Sequence, residues 1–518
     1  MNDSLSRRGF LSVMGASMAL AGLASCRRPV EKIIPYVIPP ENLTPGIPQY
    51  YSTTMPLGVN SYGLVVESHE GRPTKIEGNR LHPSTRGSSS AQIQASILNL
   101  YDPDRAKSIT ENGSQRTWDD FISSWRRTSP SALQAQGEGL AILSESFNSP
   151  TMMRLKKEFA RKYPKASWVT CDPISDENIY SGIKLATGKT LLHSYEYNNA
   201  AVILSLDSDF LLSESDSVNA TRGFTEGRQV ASESDPMNRL YVVESYFSLT
   251  GGSADHRLRL PVSRIPSFTL ALARELESQG LRIPALGNLT EDPRNSFDKA
   301  WLGAVAKDLL DNRGASLIVA GRSQPAAVHA LTLALNDALD NIGATVILHA
   351  ANDASLSDSG SFEALTKKIN SGEISTLVIM GGNPAYDTPG AIDFTRVSNT
   401  IRLGLGVDET AELCKWVIPQ THYLEEWGDT RAFDGTLSVT QPLIAPLFGG
   451  HSALELAYII VTGKQAGGYE LVRETWKGYL YGANFEIKWE TVLSDGILSG
   501  SDSPGIRFSL NNGAIGAA

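Results

Sequence analysis

Thr376-Leu-Val-Ile-Met-Gly-Gly-Asn-Pro384 is the stretch on which the fold turns. A β-prone run without polar alternation is followed by two glycines, and Asn383-Pro384 opens a helical segment. A continuous apolar strand is one buried on both faces, as in a parallel sheet covered by helices. The same order recurs at Ser316-Leu-Ile-Val-Ala320, followed by Gly321-Arg-Ser-Gln-Pro325. Further apolar runs lie at 140–143, 167–170, 200–205, 240–243 and 345–348, with helical segments such as 152–163, 266–277 and 325–339 between them. Strands alternating with helices imply an α/β fold, with doubly wound parallel sheets in two α/β domains. In such sheets ligands sit at the carboxyl ends of strands, where helix N-termini offer free N–H groups. Gly321, Gly381, Gly382 and Asn383 therefore stand either as turns or as loops of a nucleotide-like site.

Outward from this centre the chain divides into six parts. Residues 105–265 and 266–465 form the two α/β domains. Residues 61–104 form a small N-terminal β region, with a hairpin around Glu70-Gly71. Residues 27–60 are Pro-rich and aperiodic and read as an extended strap. Residues 466–518 read as a tail, and 1–26 as an export signal.

That signal begins Ser6-Arg7-Arg8-Gly9-Phe10-Leu11 and continues through a short stretch rich in Gly, Ala and Ser. Such a stretch falls short of the roughly 20 apolar residues of a typical membrane span. Paired arginines with Phe-Leu behind them match a twin-arginine address. An ordinary secretory signal with two chance arginines is the alternative. Leu23-Ala-Ser-Cys26 resembles a lipobox, which makes Cys26 a lipidation site; plain cleavage near Ala24 is the other reading. The expectation is export to the periplasmic face of the inner membrane, with a tether through Cys26 and no spanning helix.

The 518 residues carry a net charge of -10, which argues against a nucleic-acid partner. Of three cysteines, Cys171 and Cys414 remain beside Cys26, either as a pair or as buried small apolar residues. No C-x-x-C occurs, which excludes a self-contained four-cysteine cluster and a c-type haem. The eight histidines are scattered and give no zinc spacing.

Longer motifs are more specific. Gly71-Arg-Pro-Thr-Lys-Ile-Glu-Gly-Asn79, His82-Pro83, Arg86-Gly87 and Leu100-Tyr-Asp-Pro-Asp-Arg105 resemble the N-terminal region of molybdopterin oxidoreductases. Gly381-Gly-Asn-Pro384 resembles a cofactor-side loop of that family. Glu409-Thr-Ala-Glu-Leu-Cys-Lys-Trp-Val-Ile-Pro419, with His422 to Asp429, resembles a later family segment. Val30-Glu-Lys-Ile-Ile-Pro-Tyr36, Met237 to Glu244 and Thr250 to His256 are similar to one branch. That branch is the large molybdopterin-oxidoreductase-like subunit of alternative complex III, a membrane assembly that oxidises quinol.

The resemblance implies the molybdopterin-oxidoreductase fold and a place in respiratory electron transport. It implies three partners: a ferredoxin-like iron–sulfur domain or subunit, a multihaem cytochrome c, and polytopic quinol-binding membrane subunits. Iron–sulfur clusters and haems are expected in those partners, and no cofactor is expected in this chain. Ser90 stands where the family places a cluster cysteine, and Gln92 where it places a lysine between cluster and pterin. Serine oxygen is a poor substitute for thiolate on iron. Family members continue into the cysteine-rich ferredoxin-like part, so 466–518 is expected to be the start of a missing C-terminal part.

A metal ligand of the family type would fall near Ser144 or Ser146; helix capping is the alternative role. His422, Glu425 and Asp429 make a weak catalytic set and a better structural loop. Lone His193 and His256 carry no signal, and Trp416 and Trp427 read as packing residues. The expected function is a cofactor-free structural subunit of a quinol-oxidising complex. The rivals are an active molybdenum enzyme with an oxygen ligand, and a free lipoprotein binding a small ligand in the old pterin cleft.

Overall fold

The computed structural model describes residues 43–518 except 288, 352–354 and 483. The twin-arginine signal, Cys26 and the strap up to residue 42 lie outside the described residues. Residues 44–47 form a turn closed by the Ile47 N–H to the Thr44 carbonyl at 3.1 Å. The unit Pro48–Ala518 carries every strand and helix described below.

An antiparallel sheet opens it, in the order β1 (Gln49–Leu57), β2 (Asn60–His69), β3 (Arg72–Gly78). The hairpin at Glu70-Gly71 is where the sequence places it. β1 corrects the strap expectation: it pairs with β2 along its whole length, from Gln49 with Ser68 to Leu57 with Asn60. Pro56 is tolerated because it lies beside the turn, where a missing N–H costs the ladder little. The helix Ala91–Leu100 packs on this sheet through Ile93 and Leu100.

The largest sheet has seven strands, in the order β5-β4-β16-β15-β14-β6-β7. Their ranges are β4 (Ile109–Glu111), β5 (Ser114–Arg116), β6 (Leu140–Ser144), β7 (Ser167–Thr170), β14 (Thr376–Met380), β15 (Asn399–Gly404) and β16 (Trp416–Pro419). The strands β16, β15, β14, β6 and β7 are parallel, and β4 and β5 close one edge antiparallel. β6 and β14 are buried at every residue, as expected for inner strands covered on both faces.

A second parallel sheet has the order β11-β10-β9-β12, from β9 (Val202–Leu206), β10 (Arg239–Glu244), β11 (His256–Arg259) and β12 (Ser316–Ala320). Beside it, β8 (Leu191–Tyr195) and β13 (Val346–Ala350) form an antiparallel pair, so the run at 345–348 is not a parallel strand. β17 (Gly428–Arg431) and β18 (Leu437–Thr440) form a last hairpin.

The strand ranges show that 105–265 and 266–465 are not the structural division. β14 returns to pair with β6, β15 and β16 follow beyond it in the same sheet, and β12 joins β9. The smaller sheet is therefore inserted within the sequence of the larger. Apolar runs report burial and not which distant run lies alongside, so the contiguous boundary is corrected. Residues 466–518 are likewise part of the body. Trp476 and Trp489, on the helices Gly468–Trp476 and Phe485–Asp495, complete the core under the large sheet. Beyond them Leu498 bonds to Leu437 at 2.8 Å, Ile506 to Leu348 at 2.7 Å and Asn511 to Ala186 at 2.7 Å. The last segment thus straps the two sheet regions together.

Candidate functional site

Each parallel sheet reverses its winding between two adjacent strands. In the large sheet the chain moves from β6 to β7 on one side and from β14 to β15 and β16 on the other. In the smaller sheet the reversal falls between β9 and β12. Ligand crevices of open α/β sheets lie outside the carboxyl ends of the strands at such points.

At the β6–β14 point is a cavity of about 290 Å³. Its floor is formed by Ser144, Glu145 and Ser146 at the end of β6 and by Met380 and Gly381 at the end of β14. Gln420 to Tyr423 and Glu426 to Thr430 form one wall, and Met55, Pro56, Ser96 and Asn99 another. Phe147, Trp168, Tyr423 and Trp427 give it aromatic surface; no Lys or Arg lines it.

Register brings the floor together. Ser144 pairs with Met380, so the next residues, Glu145 and Gly381, face each other. Gly381 and Gly382 have φ of +71° and +60°, and a β-carbon on Gly381 would collide with the Glu145 carboxylate. The Gly382 N–H donates to that carboxylate. Glu145 is open to water within the crevice, yet protein mass around it pushes its carboxyl up, with nearby Asp172 adding to the rise. Arg402, almost wholly buried, donates to the carbonyls of Gly381 (2.8 Å) and Gly382 and to Asp408 (2.5 Å). Asn383 is spent on Glu409 (2.6 Å) and Thr410 (2.6 Å).

Two further carboxyls line the cavity. Burial pushes Glu426 up to about 8, against a hydrogen bond from Thr421 Oγ1 at 2.5 Å; Glu455 and Glu425 raise it further. Burial also raises Asp429, although it accepts from Ser149 (2.5 Å), Thr151 (2.6 Å) and the Trp476 indole (3.0 Å). Asp429 thereby ties the start of the helix Pro150–Lys162 to Trp476 in the core. His422 is buried and pushed down to about 4 by burial and Arg105, with Nε2 3.1 Å from the Ser96 carbonyl. Glu425 is sealed in a bidentate pair with Arg105, at 2.6 and 3.1 Å. Thus His422 and Asp429 reach the cavity wall, while Glu425 braces the loop behind it.

The other expected positions are placed as follows. Ser90 caps the helix Ala91–Leu100, accepting the Ile93 N–H at 3.2 Å, and Gln92 on the first turn is exposed. Ser144 and Ser146 do not cap; that role belongs to Ser149, which accepts the Met152 N–H at 3.0 Å. Ser144 accepts from the Trp168 indole at 3.0 Å, and Ser146 donates its N–H and O–H to Asp172. Gly321 lies apart, at the β9–β12 point. Leu206 pairs with Ala320, so Asp207 and Gly321 hold the same relation as Glu145 and Gly381. Here it is the Asp207 carbonyl that fills the space a β-carbon would need. Cys171 and Cys414 are free thiols and do not pair. His193 borders two small inner cavities, and His256 stacks on Tyr241 with ring centroids 4.6 Å apart. Trp416 is core, whereas Trp427 is cavity wall. Sequence inspection missed Glu145, Glu426, Arg402 and Asp207. Glu145 and Asp207 are marked only by a charge just after an apolar run (Glu145 one residue on, Asp207 at once), and Arg402 and Glu426 carry no such mark.

No family model and no curated protein matches the chain. Among solved structures it is similar to acetylene hydratase from Pelobacter acetylenicus. The TM-score is 0.59 at 10% identity, over 79% of this chain and 69% of that one. At this identity the likeness speaks for the fold alone, an α/β arrangement of parallel sheets shared with that protein.

Proposed function

We propose that this chain is a cofactor-free structural subunit of a membrane-bound quinol:electron-acceptor oxidoreductase resembling alternative complex III. The observation that carries the proposal is Ser90. At the position of a cluster cysteine stands a serine whose oxygen is spent on a helix cap. The β1–β2 hairpin, where further cluster ligands would fall, contains no cysteine.

The fold family implies a pterin carrying phosphate and thiolates, and the residues present do not fit one. The Gly382 N–H, a donor such an anion would seek, is taken by Glu145. Glu426 and Asp429 add carboxyls to a wall without a cation. Burying an anionic group in a wall that offers no cation to compensate it is costly. The Ser144 and Ser146 oxygens are committed to Trp168 and Asp172, which weighs against the oxygen-ligated molybdenum enzyme.

The chain's work would then be docking. Tyr246, Phe247 and Leu249, exposed after β10, support this, since clustered apolar side chains on a surface mark contact sites. In the proposal the partners are a ferredoxin-like iron–sulfur domain or subunit, a multihaem cytochrome c and polytopic quinol-binding subunits. Export by the twin-arginine route and a lipid anchor at Cys26 complete it. Among the described residues no helix is long and apolar enough to cross a membrane. Purification from native membranes tests the assembly: haem-bearing and polytopic subunits should co-purify in fixed ratio. Recovery of the chain alone under mild detergent would contradict it. The cavity itself favours a second role in small-ligand binding.

A further inference from the structure

We propose that the cavity at the β6–β14 crevice binds a small organic cation, and that Glu145 sets this charge preference. The inference rests on the cofactor-free reading above.

The first argument is that the anion seat is already filled. A glycine loop after a strand can offer backbone N–H groups to phosphate. Here the Gly382 N–H goes to Glu145, and the neighbouring Arg402 is consumed by the loop carbonyls and Asp408. The second crevice repeats the device. At the same register position Asp207 accepts from Gln324 Nε2 at 3.0 Å and Ser323 Oγ at 3.4 Å, both on the loop after β12. At each winding reversal the chain supplies its own carboxylate where a phosphate would sit.

The second argument is what remains beside Glu145. The space of about 290 Å³ is at the small end of ligand pockets, roughly 300–1,000 Å³. Glu145 and Glu426 present carboxyls to it, and Tyr423 and Trp427 present rings. Carboxylates with aromatic faces are the chemistry that recognises alkylammonium groups. Lys156, itself outside the lining, lies over the lining rings of Phe147 and Trp168 at 5.7 and 5.5 Å, so rings of this cavity already hold an ammonium group. A neutral ligand would leave the water-exposed Glu145 carboxylate uncompensated, and an anion would meet it directly.

Calorimetric titration of the full chain with choline, its neutral isostere 3,3-dimethylbutan-1-ol and inorganic pyrophosphate tests the proposal. Choline should bind, the isostere about tenfold more weakly, and pyrophosphate not at all. Glu145→Gln should weaken choline about tenfold, while Asp207→Asn in the other crevice should leave it unchanged. Equal binding of choline and isostere, no choline binding, or full choline affinity in Glu145→Gln would each overturn the proposal. If Glu145→Gln does not fold, the choline-to-isostere ratio of the unaltered chain decides. A protein found to carry pterin refutes the cofactor-free reading. A pterin-free protein whose cavity ignores charge refutes this inference alone.

Discussion

Glu145 and Gly381 follow directly on the register-paired ends of β6 and β14, and the carboxylate of one occupies the space the other leaves by lacking a side chain. The contact joins backbone geometry to the chemistry of the crevice. Gly381→Ala should destabilise the protein by about 1–3 kcal/mol, because φ is +71° and the new methyl meets the carboxylate. Urea unfolding measures this. Adding Glu145→Ala should recover part of the loss, since the collision disappears and the backbone strain stays.

The Arg105–Glu425 pair is almost wholly inaccessible, with side chains 4% and 0% exposed. Glu425→Gln leaves a buried guanidinium uncompensated and should cost about 3–5 kcal/mol at pH 7. Burial raises the Glu425 carboxyl, but hydrogen bonds from Arg105, Leu447 and His422 outweigh it and hold the group below the ordinary carboxylate range. Its contribution is therefore present above that range and lost as the pH falls below it. The gap between wild type and variant should narrow in acid; a gap unchanged at pH 3 would contradict the pairing.

Glu426 has the opposite sign. Its folded value of about 8 lies above the ordinary glutamate value, so the folded state keeps a proton that the unfolded state releases. Stability from this group is full in acid and is lost as the pH rises toward and through about 8. Glu426→Gln should flatten that decline. Thermal melts at pH 6 and pH 9 should show the variant gaining on wild type at the higher pH.

Burial pushes the Cys414 thiol up to about 12 and Cys171 up to about 11. Neither supplies much thiolate near neutrality, and thiolate is the reactive form. Ellman's reagent at pH 7.5 should label both slowly in the native protein and rapidly after denaturation. Rapid native labelling of Cys414 would contradict its burial.

The strands buried on both faces were legible because such burial leaves an unbroken apolar run, as at β6, β9, β12 and β14. Their partners were not, because pairing depends on register between runs more than two hundred residues apart, such as Leu140 with Thr376. Hence the two-domain boundary failed while the α/β class held. β1 was hidden by the prolines around it, and the helices holding Trp476 and Trp489 by the expectation that 466–518 begins a further part. The glycine loops were visible, but the carboxylates filling them were not. A charge one residue past a strand looks like a turn until the neighbouring strand is known. The capping role of Ser90 was not legible: capping was expected of Ser144 or Ser146, and it falls to Ser90 and Ser149.

Metal and pterin content of the protein purified from its native source tests the central claim most directly. The expected result is molybdenum, tungsten, iron and pterin all far below one per chain in the isolated polypeptide. Stoichiometric molybdenum or tungsten with pterin would contradict it and return the β6–β14 crevice to cofactor chemistry.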